Sequence, residues 1–406
     1  MQIFETDIVI VGGGPGGAML GMLLARNGTN VILIERTKKL DREFRGESIS
    51  PDSVAILHEY NIIQDIESHG YIETKKMQVF DKTKKLLDVN FEKFDFPKKF
   101  SIDVPQPVLI LAMLNEARKY QNFLYFNGTH CESLIKRDNK IAGIICRKED
   151  ELIQIYSRLV VGADGRYGKV RKLANLPATI KPLQRDVLWF MLPMPEAWGS
   201  TAKLFMDKNN HIIALPTYPD TLRVGLNIKT GQFNQIRKKP ISYLYQMVSQ
   251  LAPELESSVK EKIKKWSDLS LLDIFTMEVP KKCLDGLILI GDAAHTLTPI
   301  LGQGVNQAIK DAVFISPVIQ SALKNQSGIL CKSNFKKYLK IRRAEVNRVH
   351  GFQVRQERLI SLSSFIGTNF RMALYKFMNT SFLFQKILWE KILYQYQKSK
   401  RVAEYE

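Results

Sequence analysis

The run Val9-Ile10-Val11-Gly12-Gly13-Gly14-Pro15-Gly16-Gly17-Ala18 begins almost at the N-terminus and leaves the chain few ways to fold. Residues 6–11 form a short apolar stretch, the glycines make a turn, and Ala18–Asn27 reads as a helix that Asn27-Gly28 stops. Val31–Ile34 is a second apolar strand, ending at Glu35. This is a βαβ start with tight connections. In Gly12-x-Gly14-x-x-Gly17, the first glycine permits the turn, the second lets a pyrophosphate reach the backbone, and the third allows close helix–strand packing; Gly13 lies within the same turn. The helix N-terminus offers free N–H groups and partial positive charge to phosphates. Glu35 is placed to accept hydrogen bonds from an adenosine ribose, with Arg36 beside it. Strand, turn, helix and terminal acid together predict a dinucleotide site. The turn alone does not say which dinucleotide.

Later segments narrow the fold. Residues 75–100 nearly alternate around a polar turn, as a β-hairpin does, Val108–Tyr120 is helical in period, and 141–163 returns to strands. From about 186 to 230 the pattern is again β, broken by Pro, Gly, Asn and Asp turns. Residues 240–265 are helical and charged, Gly286–Gly291 is a strand, and a helix follows to about 322. No proline follows Pro317, so the remainder reads as mostly helical. The fold class expected is α/β: a Rossmann-like domain of 1–74, 101–180 and 270–350, a mostly β substrate domain inserted as 75–100 and 181–269, and a basic amphipathic helical tail, 351–406.

Two further motifs bear on the ligand. In Val160-Val161-Gly162-Ala163-Asp164-Gly165, a strand delivers Asp164 into a glycine turn at the carboxyl edge of the sheet, where open α/β folds bind ligands. In Gly291-Asp292-Ala293-Ala294-His295, continuing through Pro299 to Gly302-Gln303-Gly304-Val305-Asn306, a buried strand hands off a second acid before another glycine bend opens a helix. Asp292 can bond a polyol chain. Pro299 and the backbone of Gly302–Gly304 suit a planar, electron-rich ring, and the N–H groups opening the helix at Val305 and Asn306 would meet its charge. Nicotinamide chemistry has no use for this second station; a flavin, with ribityl chain and isoalloxazine, does.

These residues together resemble the single-component FAD-dependent aromatic hydroxylases, the p-hydroxybenzoate hydroxylase group. The likeness covers about residues 5–350 in the family's order and spacing. It implies FAD as cofactor, NADH or NADPH as transient electron donor, and hydroxylation by dioxygen through a flavin C4a-hydroperoxide, with no catalytic base assigned. By the same resemblance, Gln106 begins the helix whose first residue reaches the flavin, and Arg45 is the basic residue after the second strand that lies near the cofactor. One departure stands out: where the family has Ser four residues after the DG aspartate, this chain has Gly168. That loosens the motif's tie to the pyridine nucleotide. A second GxGxxG is absent, in keeping with NAD(P)H bound only transiently.

Substrate contacts are expected from the β insertion. Trp189, Phe190, Phe205 and Tyr218 would form an aromatic wall with His211 or Arg223 steering an anion; the same aromatics could instead be sheet core. His295 reads as part of the flavin-domain turn. The net charge of +18 is concentrated in residues 331–406, which hold 16 Lys/Arg against 5 Glu and no Asp. Such a segment suits an anionic membrane surface or a cap on the substrate domain, while no motif supports nucleic acid. The four cysteines lie far apart without metal-ligand spacing, so no metal is expected. The N-terminus lacks secretory-signal character, and no apolar run is long enough to span a bilayer, so a cytoplasmic protein, in contact with a membrane at most from that side, is expected. The oligomeric state is not legible.

Rival readings each make a demand. A flavin-dependent halogenase would need a reactive lysine, for which Lys75 or Lys76 would serve, and a WxWxIP motif, yet no two of the four tryptophans are two apart. A prenyl-chain reductase would suit a greasy tail, and a flavin-free lipid-tail carrier would not need Asp292 with its glycine bend.

Overall fold

The computed structural model describes residues 2–40, 48–208 and 210–403. Its main sheet has eight strands. The path runs Cys283–Leu284, Leu287–Leu289, Glu151–Gly162, Gln2–Val11, Val31–Glu35, Phe123–Asn127, with Thr129–Arg137 and Lys140–Lys148 continuing as a meander off the long strand Glu151–Gly162. From Leu287–Leu289 to Phe123–Asn127 neighbouring strands are parallel. The last four residues of the strand Gln2–Val11, Ile8 to Val11, are apolar without alternation because both faces are covered there. Ile8 and Ile10 pack on one side with the helices Pro15–Arg26, Gln106–Arg118 and Gln303–Asn325. Val9 and Val11 pack on the other with Ile144, Cys146 and Ile155 of the meander.

A seven-stranded sheet forms the second layer system, in the order Ser270–Leu272, Arg185–Pro193, Thr221–Lys229, Asn210–Thr217, Thr201–Asp207, Lys76–Asp81, Lys84–Asn90. All its pairings are antiparallel except that of Thr201–Asp207 with Lys76–Asp81, which joins the early hairpin to the later insertion. One face of this sheet is sealed by Leu188, Phe190, Phe205, Ile212 and Leu226 against the helices Ser242–Leu251 and Glu256–Lys262. The other face looks back toward the main sheet.

The structure redraws two edges of the expected division. Strand Ser270–Leu272 pairs with Val187–Trp189 and so joins the inserted sheet rather than the nucleotide domain. The cut at 350/351 falls inside one continuous helix, Lys336–Ile360. Beyond it, helices Phe365–Thr380, Phe382–Leu393 and Gln395–Ala403 fold back on the protein. Tyr375, Met378, Trp389, Ile392 and Tyr394 share a core with Val79, Leu87, Phe91 and Phe94 of the early hairpin region. Capping of the substrate domain is therefore what the inner face of the tail does. Among the described residues, no helix is long and apolar enough to cross a membrane.

Candidate active site

The glycine turn after the first strand is shaped by close backbone approach. A Cβ on Gly17 would stand 1.9 Å from the Gly12 carbonyl oxygen, and one on Gly12, at φ +111°, would stand 2.4 Å from that of Ala163. These contacts bring the second motif against the first. Gly13 N–H donates to Glu35 Oε2 (2.7 Å), and Glu35 Oε1 accepts from the Thr37 N–H and hydroxyl (2.9 and 2.7 Å). The carboxylate is thus aimed along the turn, as a ribose acceptor would need to be. Gly14 caps helix Pro15–Arg26 without any side-chain hydrogen bond, and the space where its Cβ would be is open. The first-turn N–H groups are left for a ligand.

The third motif is built by one buried acid outside it. Asp311 Oδ2 accepts from Gly291 N–H (2.8 Å) and sits 2.8 Å from His295 Nε2, while Asp311 Oδ1 accepts from Arg342 Nε–H (2.8 Å). His295 thus joins this network through Nε2, while its Nδ1 is buried without a hydrogen-bond partner. The loop then turns at Leu301 and Gly302, both left-handed at φ +58°, and the helix Gln303–Asn325 starts with no side-chain cap. A Cβ at Gly302 would meet that of Ser48 at 2.8 Å. Asn306 holds this approach: its Oδ1 accepts from Ser50 N–H (2.9 Å), and its Nδ2 donates to the carbonyls of Ser48 (3.0 Å) and Gly302 (2.8 Å).

A single cavity of about 1030 Å³ joins these turns. At one end Gly12, Gly14, Glu35, Arg36, Asp164 and Arg166 line it; at its middle stand Gln106, Asp292, Pro299, Gly302, Gly304 and Val305. Of the residues expected to hold a cofactor, Gly13, Gly17 and Asn306 support the wall from behind, and Arg45 lies outside the described residues. The donor set fits FAD. Two uncapped helix starts face the cavity, and Asp164 Oδ1 is buried without a hydrogen-bond partner. Asp292 is raised by burial, opposed by the Arg166 guanidinium 3.6 Å away. The Gly168 departure also has a local cause. A Cβ there would stand 2.3 Å from Asp164 Oδ1, whose other oxygen accepts from Val170 N–H (2.8 Å), so the bare glycine lets this carboxylate cap the helix Lys169–Leu173.

Beyond Pro299 the cavity becomes an apolar chamber between the open face of the seven-stranded sheet and the C-terminal helices. Val187, Trp189, Leu204, Ile213 and Leu215 face it from the strands, and Phe352, Ile360, Tyr375, Met378 and Trp389 from the helices. The period of two in each strand sorts the expected substrate residues. Trp189, His211 and Arg223 line the chamber. Phe190 and Phe205 point to the opposite, helix-covered face, where Phe205 stacks on Phe80 at 5.1 Å. Tyr218 lies outside the chamber, 51% exposed and over Gly70. An aromatic wall of these four residues does not form. Arg223 is also committed elsewhere than to steering an anion: it donates to Asp103 Oδ1 (2.6 Å) and Ser48 Oγ (2.8 Å), pinning the inserted sheet to the strand Ser48–Ile49 beside the glycine bend.

Arg185, Glu357, Tyr375 and Trp389 also line the cavity, and no motif in the sequence marks them. Arg185 donates to the Glu357 carbonyl (2.9 Å) and Ser361 Oγ (2.8 Å), is ion-paired with the Glu357 carboxylate, and lies 3.3 Å from His211 Nδ1. Only the tail's apolar spacing hinted at this, because the partners lie 172 residues apart. Burial, aided by the charges of Arg185 and Arg371, pushes the His211 imidazole down to about 3. His211 is therefore neutral in the folded protein at pH values where an unfolded histidine, with a pKa of about 6.5, takes up a proton. Stability from this site is present above that value and falls as the pH drops through it. Denaturant midpoints should fall between pH 7.5 and 5.5, and the fall should be smaller in His211→Gln; equal slopes would contradict the assignment.

Comparison with known proteins adds to this geometry. Residues 5–350 match the family described as FAD binding domain. The 6-methylpretetramide 4-monooxygenase of Streptomyces rimosus is 31% identical over 357 residues, 88% of this chain and 84% of that protein. Among solved structures, p-nitrophenol 4-monooxygenase PnpA of Pseudomonas putida DLL-E4 is similar with a TM-score of 0.82, at 15% identity, covering 96% of this chain and 98% of its own. PqsL of P. aeruginosa, solved in complex with 2-aminobenzoylacetate, gives 0.80 at 19% identity, covering 91% and 99%. At these identities the two structures establish the shared fold.

Proposed function

The chain belongs to the FAD binding domain family and is an FAD-dependent monooxygenase, and from that premise we propose that it hydroxylates a polycyclic, phenol-like hydrophobic molecule at the expense of NADH or NADPH and dioxygen. The observation that carries this reading is the continuity of the cavity: the glycine bend at Pro299–Gly302 opens directly into the apolar chamber. The S. rimosus relative, named for a monooxygenation of 6-methylpretetramide, supports a substrate of similar bulk.

When bound, FAD supplies the electron transfer and oxygen activation. The chain's own residues do the rest. The first-turn N–H groups after Gly14, with Glu35, would grip the adenosine pyrophosphate half. Asp292 and Asp164 would hold the polyol, and the backbone of Pro299, Gly302 and Gly304 would position the ring. Trp189, Leu204, Ile213, Tyr375 and Trp389 would exclude water from the chamber where the substrate is held. The Arg185–Glu357–His211 cluster gives the chamber one polar corner, where a phenol or carbonyl oxygen would be oriented.

The halogenase reading gains nothing from this geometry. Lys75 is half-buried and ion-paired with Glu73 (3.2 Å), Lys76 is exposed, and among the described residues the lysine that lines the cavity is Lys169 at its cofactor end. The test is NAD(P)H oxidation by the purified yellow protein across simple phenols, quinolones, polyprenyl-phenols and tetracyclic phenols. Oxidation stimulated by the polycyclic members, with a product heavier by one oxygen atom, is expected. Halide-dependent products, or stimulation by none of the panel, would defeat the proposal.

A further inference from the structure

The two helices that wall the chamber are apolar on both sides. Phe365–Thr380 and Phe382–Leu393 turn Tyr375, Met378, Leu388, Trp389 and Leu393 inward. Their outer side exposes Phe365 (83%), Ile366 (81%), Phe370, Phe377, Leu383 and Ile387. The surface is continuous across the helix junction, where the rings of Phe377 and Phe384 lie 5.9 Å apart. A helix apolar all round is ordinarily covered on both sides, and isolated exposed residues do not make such a patch.

Charge selects the cover. Between residues 361 and 393 the only acid is Glu390, and it is paired with Lys386 (3.9 Å) and Lys398 (3.2 Å). Lys376 and Lys391 stand exposed on the same two helices. A second copy would bring like charge against like on a chain already at +18, whereas an anionic bilayer would meet both the lysines and the apolar side chains. We propose that the outer face of this helical hairpin docks in the plane of an anionic membrane surface, its phenylalanines and Ile366 inserted among the acyl chains. In-plane docking agrees with the absence, among the described residues, of any helix able to span. The chamber then lies about one helix diameter, roughly 10 Å, from the lipid. This inference does not depend on which substrate is hydroxylated.

The test is co-sedimentation of the full-length holoprotein with vesicles of phosphatidylcholine alone and of phosphatidylcholine with one quarter phosphatidylglycerol. Binding to the anionic vesicles is expected to be at least about tenfold tighter than to the neutral ones. It should weaken about tenfold or more in a Phe365→Ser, Ile366→Ser, Leu383→Ser triple variant and in a Lys376→Gln, Lys391→Gln double variant. Flavin content and melting temperature report folding. If the serine variant loses its flavin, the lysine variant alone decides. Equal recovery of the parent protein in the supernatant with both vesicle types overturns the proposal. So does a dimer, seen by light scattering, that the serine variant abolishes.

Discussion

Asp292→Ala protein is expected to bind FAD roughly 10- to 150-fold more weakly than the parent, from the loss of a charged hydrogen bond of about 1.5–3 kcal/mol. The acid lines the middle of the cavity, where the glycine bend and the long helix begin. Arg166 alone among the described cations pairs with it, at 3.6 Å, so the substitution also leaves that guanidinium facing the cavity uncompensated. Asp292→Asn keeps the shape and part of the hydrogen bonding and should fall between the two. Titration of apoprotein with FAD, followed by quenching of flavin fluorescence, measures the effect. An alanine variant that purifies with a full complement of flavin would refute the placement of the polyol at this residue.

The second large effect is one of stability and comes from a residue that touches no ligand. Asp311 is buried beneath the third motif, held by Gly291 N–H, His295 and Arg342. Burial alone would raise its carboxyl, but His295 and Arg342 beside it hold it well below the ordinary carboxylate range. Asp311→Ala removes one member of a buried ionic network and leaves Arg342, itself almost fully buried, with Glu345 and Gln307 as its remaining partners. The expected cost is about 3–5 kcal/mol, read as a lowered guanidinium midpoint for both tryptophan fluorescence and flavin release. Because the folded carboxyl is depressed, its contribution is complete above the unfolded value of about 4 and is lost as pH falls through and below that value. The variant should therefore show a shallower loss of stability on acidification as well as a lower plateau. A plateau within 1 kcal/mol of the parent at pH 7, roughly a fifth to a third of the expected cost, would mean that the network is not what fixes the loop.

How far the sequence could be read follows from the range of the forces involved. The glycine turn, the Asp164 turn and the Asp292 bend were legible because each is local. Gly12 and Gly302 take left-handed φ, Gly14 and Gly302 leave helix starts uncapped, and the acids sit two or three residues from strand ends. Asn306 is expected at the cofactor through the N–H groups that open its helix; the partners its side chain finds in Ser48 and Ser50 lie more than 250 residues away, and nothing local announces them. Phe205 and Trp189 looked alike because both faces of the seven-stranded sheet are buried, one under helices and one over the chamber. Alternation then shows that two faces exist without saying which holds the substrate.

The tail shows the same division. Its composition already contained a basic, aromatic-rich helical segment, and that part needed no fold to be seen. Which of its side chains close the chamber, and which are left outside, was decided only when Trp389 and Tyr375 met Phe91 and Val79 across the molecule. Backbone conformation and helix termini are set by neighbours in the chain, so the sequence determines the dinucleotide grip and the order of strands and helices. The identity of a pocket wall depends on packing between segments hundreds of residues apart, whose partners are chosen by shape and burial rather than by any adjacent residue, and for that reason only the tertiary structure settles it.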